Sequence, residues 1–160
     1  LPAFDDYSMK GRTYRYMAEE PAYPFGFGLS YTHFEFEELK LEKSILRPGE
    51  SLDISLTVRN SGGVNAAEVV QVYLSDIQAS TTVPLRHLVG FEKIVLAAGS
   101  SQIVNFTLTP EMMSFYNDDG KLTLEPGEFQ LEVGACSPGS RGQNLGAPTP
   151  VRATFIINQT

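Results

Sequence analysis

The side chains that could do chemistry in this chain are few and poorly grouped. His33 and His87 are the only histidines and lie far apart, with no second imidazole or cysteine pair near either, so no zinc-ligand spacing is present. Cys136 is the only cysteine and has no partner for an internal disulfide. Hydrolysis by an opposed acid and base needs two carboxyls held about 5–9 Å apart on rigid elements. Glu35, Glu37, Asp53 and Glu132 instead fall on the outward positions of alternating segments, where charge turns to water. Asp118-Asp119-Gly120 reads as a turn and lacks the rest of a calcium loop. The serines of "SGG" and "PGS" do not stand in a strand-to-helix elbow. No glycine loop that could cradle phosphate precedes a helix. Catalytic residues, metal and cofactor are all expected to be none.

One local set could touch a polar ligand or a protein partner: Arg12, Tyr14, Arg15 and Tyr16. Alternation would place Arg12, Tyr14 and Tyr16 on one side and Thr13 and Arg15 on the other. Arginine supplies directed hydrogen bonds and tyrosine a flat face with a polar end. The set belongs to residues 1–31, which also carry Phe4, Tyr7, Tyr23, Phe25, Phe27 and Tyr31 without a regular period. Pro24 holds Ala22-Tyr23 extended, and Gly26 and Gly28 permit a tight or left-handed path. Disordered leaders are poor in aromatics. Residues 1–31 are therefore expected to form an extended interdomain arm that presents Arg12, Tyr14, Arg15, Tyr16, Tyr23, Phe25, Phe27 and Tyr31 to a partner. Packing over its own sandwich and a ligand site are the alternatives.

The elements that must position this arm are strands. "HFEFEELKLE" alternates Phe34 and Phe36 against Glu35 and Glu37, then shifts register to Leu39 and Leu41, as at a bulge. "SLDISLTVRN" sets Leu52, Ile54, Leu56 and Val58 on one face. "AAEVVQVYLSD" is apolar on both faces and reads as central. "PLRHLVGFEKIVLAAG" is one long strand or two short ones, with Gly90 at a bulge. "SQIVNFTLT" turns Val104, Phe106 and Leu108 inward, and "FQLEVGAC" does the same with Phe129, Leu131 and Val133. "PEMMSFY" is a single helical turn or an irregular crossing, and "KLTLEPGE" opens with a short strand. The stretch 137–150 is a loop, and "VRATFII" is the last strand. Residues 32–160 thus predict an all-β sandwich of two sheets, of the immunoglobulin or fibronectin type III kind, with seven or eight antiparallel strands. With no tryptophan, its core must be aliphatic and built on phenylalanine.

Composition excludes several classes. The 160 residues suit one domain, and 42% hydrophobic residues support a core. A net charge of −7 with scattered basic residues argues against nucleic acid. No apolar run of membrane length is present. Asn105-Phe106-Thr107 and Asn158-Gln159-Thr160 fit the glycosylation acceptor pattern. A first residue other than methionine fits a piece of a longer polypeptide.

"FDDYSMKGRTYRYM" followed by "YPFGFGLSYTHFEF" resembles the linker and first strand of the C-terminal fibronectin type III-like domain of glycoside hydrolase family three, the β-glucosidases and β-xylosidases. "RPGES", "LTVRNSGG", "AEVVQVYLSD", "PLRHLVGFEKI" and "LEPGEFQLEVGACS" extend the resemblance over nearly the whole chain, while Phe27 departs from the tyrosine many members carry. The resemblance implies a non-catalytic accessory domain of a retaining β-glycosidase. Its partners would be that enzyme's catalytic barrel and α/β domains, with β-linked glucosides or xylosides reached only at the entrance, by loop 76–85 or 137–150. In the family the nucleophile and the acid/base belong to those other domains; Ser75-Asp76, here at a strand end, is not carried over as catalytic. A secreted or periplasmic location is expected. A free-standing carbohydrate- or protein-binding sandwich is the alternative. Against the carbohydrate form stands the sparsity of strand tyrosines, Tyr73 and Tyr116 alone.

Overall fold

The computed structural model describes residues 3–159. Leu1 and Pro2 of the arm and Thr160 of the second acceptor triplet lie outside the described residues. After a helical turn α1 (Thr13–Tyr16), the strands are β1 (Phe34–Leu41), β2 (Ile45–Leu46), β3 (Leu52–Asn60), β4 (Ala66–Asp76), β5 (His87–Leu96), β6 (Ser101–Leu108), β7 (Phe115–Tyr116), β8 (Leu122–Thr123), β9 (Gly127–Gly134) and β10 (Val151–Ile157). A 3-10 turn (Pro110–Met113) precedes β7, and a helical turn α2 (Ser140–Asn144) lies between β9 and β10.

Seven strands are long and build a sandwich. One sheet has the order β1-β3-β6 and the other β2-β10-β9-β4-β5, with β7-β8 as a separate hairpin. Pairing is antiparallel except for β2 on β10, which is parallel and departs from an all-antiparallel expectation. The inward set is the one alternation dictates: Leu52, Ile54, Leu56 and Val58 of β3 face Val72, Leu74, Leu131 and Val133 of the opposite sheet within one core. Phe129 and Phe155 stack at 5.4 Å, supplying the aromatic mass that a tryptophan would otherwise give.

Two irregularities fall where the pattern breaks. The β1–β3 register shifts between Glu37 and Lys40, and Glu38 takes a φ of 53° there. The β4–β5 register shifts between Val72 and Tyr73, opposite Gly90. Gly90 also lets Phe106 close on the strand, since an added Cβ would come within 3.1 Å of that ring.

Three sequence expectations need correction. Thr13–Tyr16 form a helical turn, so Arg12, Tyr14 and Tyr16 do not share one side of an extended strand. The stretch 137–150 is not loop throughout, because α2 folds within it. Glu132 is buried and paired with Arg152 rather than solvated. The register explains the last: Glu132 stands between Tyr73 of β4 and Arg152 of β10, under whatever covers that face.

Candidate functional site

What covers that face is the arm. Tyr73 and Gln71 project from the outer side of β4, yet both are buried, Tyr73 at 1% exposure. The ring of Tyr14 meets Tyr73 edge-on at 6.1 Å and stacks on Phe25 at 4.3 Å. Its hydroxyl accepts the Leu88 backbone N–H at 3.2 Å, while the Arg15 carbonyl accepts the Leu85 N–H at 2.7 Å. The arm thereby supplies acceptors where β5 begins.

A second group of bonds holds the segment after Pro21. The Tyr73 hydroxyl donates to Gln71 Oε1 at 2.6 Å, and Gln71 Nε2 donates to the carbonyls of Ala135 at 2.6 Å and Gly26 at 3.2 Å. Gly26 has a φ of 76°, and a Cβ there would sit 2.1 Å from Gln71 Oε1, so only glycine allows this approach. The Ser137 N–H donates to the Phe25 carbonyl at 2.8 Å, Arg141 Nε donates to the Ala22 carbonyl at 3.1 Å, and Ser140 Oγ donates to Glu20. Pro24 is buried among these contacts. At the exit from the arm, Thr32 Oγ1 donates to Asn60 Oδ1 at 2.6 Å.

The residues expected to face a partner therefore divide. Tyr14 turns onto the chain's own sandwich, the exposed Phe25 ring stacks on Tyr14, and the Arg15 guanidinium lies 5.9 Å over the half-buried Tyr16 ring. Arg12 folds back within the arm, donating to the Asp6 carbonyl at 3.0 Å and to its carboxylate at 3.2 Å. Tyr23 stacks loosely on Phe27 at 6.1 Å and is largely exposed. Tyr31 is 98% exposed and Leu29 87%, with Phe4 and Tyr7 also outside any contact that buries them. Leu29 was missed by reasoning on aromatics; its place between two glycine-rich turns and a strand was the available signal. The seat for Tyr14 was missed as well, because Gln71 and Tyr73 lie on the outward positions of a strand read only as central.

The electrostatics around the arm favour neutral forms. Burial first, then the Tyr14 and Cys136 side chains, push the Tyr73 phenol far above its ordinary range. Burial, with Glu132 and Glu68 adding to it, pushes the Cys136 thiol up to about 11, which leaves it a poor nucleophile. Burial lowers the His87 pKa, a hydrogen bond to the Met112 carbonyl opposes this, and Arg15 adds to the lowering. Among the described residues no group of three or more His, Cys, Asp or Glu side chains is arranged to hold a metal ion. No helix among them is long and apolar enough to cross a membrane.

Residues 68–137 match the family model of the fibronectin type III-like domain. A β-xylosidase of Formosa agariphila is 40% identical over 130 residues, covering 81% of this chain and 18% of that protein. A periplasmic β-glucosidase of Salmonella typhimurium is 39% identical over 127 residues, covering 78% of this chain and 17% of that protein. Among solved structures, a β-glucosidase from Listeria innocua in complex with glucose superposes with a TM-score of 0.77 at 35% identity, over 94% of this chain and 20% of that one. The chain thus spans less than a fifth of the length of these curated relatives.

Proposed function

The chain carries a fibronectin type III-like domain resembling the one found in the β-glucosidases and β-xylosidases of glycoside hydrolase family three, and from this premise we propose that it is a non-catalytic accessory domain of a retaining β-glycosidase. Its work is to pack on the catalytic barrel and α/β domains of that enzyme and hold them in place. Loop 76–85 and the stretch 137–150 would border the entrance for β-linked glucosides or xylosides. Residues 1–31 act as the interdomain arm and residues 32–160 as the body that carries it. A secreted or periplasmic setting accords with the name of the Salmonella relative.

The observation that carries this reading is the two-sidedness of the arm. Tyr14, Phe25 and Gly26 tie one side to β4 and β5, and the other side leaves Tyr23, Leu29 and Tyr31 exposed. Large apolar side chains gathered in the open on a tethered segment fit a surface that a partner covers. Folded catalytic domains supply such a partner at little entropic cost, because the arm is already held.

The test is made on the gene product as its own host makes it. Its mass and its turnover of aryl β-glucosides and β-xylosides are measured, then repeated for Leu29→Ser with Tyr31→Ser. We expect a mass several times 17.6 kDa, with turnover, and a lower thermal midpoint for the double variant. A product near 17.6 kDa without turnover overturns the reading.

A further inference from the structure

His87 stands between the arm and the body. It opens β5 and faces a cleft of about 570 Å³ that it shares with Arg15 and Tyr16 of α1, Asp76 at the end of β4, Glu111 of the 3-10 turn and Tyr116 of the β7–β8 hairpin. Two bonds from backbone N–H groups of the body tie α1 down, and they flank this histidine in sequence. The Leu85 N–H donates to the Arg15 carbonyl at 2.7 Å, and the Leu88 N–H donates to the Tyr14 hydroxyl at 3.2 Å.

Beyond these bonds and the ring contacts of Tyr14, α1 has little to keep it. It is one turn of four residues, buries none of them fully and has no side-chain cap. A helix this short does not persist on its own. Thr13 opens it at a φ of 57°, left-handed backbone that a β-branched residue adopts only under strain.

The proton state of His87 follows from its partner. Nε2 lies 2.9 Å from the Met112 carbonyl oxygen, which can only accept, so Nε2 carries the proton of the neutral ring. Nδ1 has no partner among the described residues and is where a second proton adds. Burial disfavours a charged ring, and Arg15 is the charged group that acts against it. The carboxylates of the cleft are engaged elsewhere. Asp76 accepts the Gln78 N–H at 3.0 Å and has Glu125 as its charged neighbour, and Glu111 turns to Thr109. Tyr16 and Tyr116 bring no formal charge.

A proton on Nδ1 therefore meets the Arg15 charge and finds no acceptor. The bond to Met112 survives, since Nε2–H still donates, and more strongly from a charged ring. The 3-10 turn keeps its hold, and α1 is the side that yields. We propose that His87 is an acid-operated latch on the arm: its protonation frees α1 from the start of β5, while residues 22–32 stay seated through Arg141, Ser137, Gln71 and Asn60. Linkage fixes the sign. The seated α1 disfavours the imidazolium, so the imidazolium disfavours the seated α1 to the same degree. Release sets in as pH falls below the ordinary imidazole value of about 6.5.

The latch uses this chain's own residues and operates whether or not the arm meets catalytic domains. The test is native-state amide exchange of the 160-residue chain at about pH 7.5 and about pH 5.5, corrected for the intrinsic exchange rate. Protection of the Leu85 and Leu88 amides, which donate to α1, is expected to fall about fivefold at the lower pH, while that of the Ser137 amide, which donates to Phe25, holds. His87→Gln keeps a donor for Met112 but takes up no proton, and it should abolish the fall. Arg15→Gln removes the facing charge and should shrink it. Unchanged protection of Leu85 and Leu88 in the parent chain overturns the proposal. So does a fall of undiminished size in either variant, or a parallel loss at Ser137, which would mean that acid loosens the whole fold.

Discussion

Tyr14 and Phe25 stack with their ring centroids 4.3 Å apart and their planes 12° from parallel, closing the arm on itself above Tyr73. The pair anchors the arm to the body, because the Tyr14 hydroxyl also receives the Leu88 N–H. Tyr14→Ala removes the stack and that acceptor together and is expected to cost about 2 kcal/mol. Urea unfolding of the chain checks the cost. Limited proteolysis should show faster cutting within residues 3–28 than in the parent chain.

Gly26 and Gly28 sit two residues apart, and only Gly26 should be sensitive to an added methyl group. At Gly26 a methyl group meets Gln71 Oε1 and the φ is left-handed, so Gly26→Ala must displace a buried amide from three partners. The expected loss is about 2 kcal/mol or more. At Gly28 nothing lies within 4 Å of an added Cβ, and Gly28→Ala should stay within about 0.5 kcal/mol of the parent. Equal denaturation midpoints for the two variants would show that Gln71 does not hold the arm.

Asn60 ties the arm's exit to both sheets. Its side-chain oxygen accepts from Thr32 Oγ1 and the Gly62 N–H, and its nitrogen donates to the Val64 and Leu96 carbonyls. Asn60→Ala leaves several buried groups unpaired and should cost about 3 kcal/mol. Thr32→Val removes one of those bonds and should cost about 1 kcal/mol. Thermal unfolding of the two variants orders them.

His87 makes stability depend on pH. Its folded pKa is depressed, so the unfolded chain takes up this proton first as pH falls. The contribution of neutral His87 is fully present above the ordinary imidazole value of about 6.5 and declines below it, until pH passes the folded value. Unfolding free energy followed from pH 8 to 5 should fall for the parent chain. His87→Gln should flatten that slope.

The body of the sandwich was legible because its cue is local. Leu52 through Val58 alternate, and alternation has one physical solution, a strand with a wet face and a dry one. The shifts at Glu38 and Gly90 were legible for the same reason, since a bulge interrupts the period where it occurs. Glu132 was misread because its alternation places it outward, and outward equals solvated only when nothing lies on that face. Tyr73 stands on a strand read as central with no side distinguished, and Tyr14 covers it.

By itself the sequence determined a β-sandwich with an aliphatic and phenylalanine core, an irregular aromatic arm, and a resemblance whose motifs begin at Phe4 and extend over nearly the whole chain. Only the tertiary structure decided which side of the arm is spent on the chain's own β4 and β5 and which remains outside. It alone set Tyr16 and Tyr116 on one cleft. The physical reason is that strand periodicity is written into neighbouring residues, whereas the seat of an arm depends on surfaces that exist only after the sheets have formed.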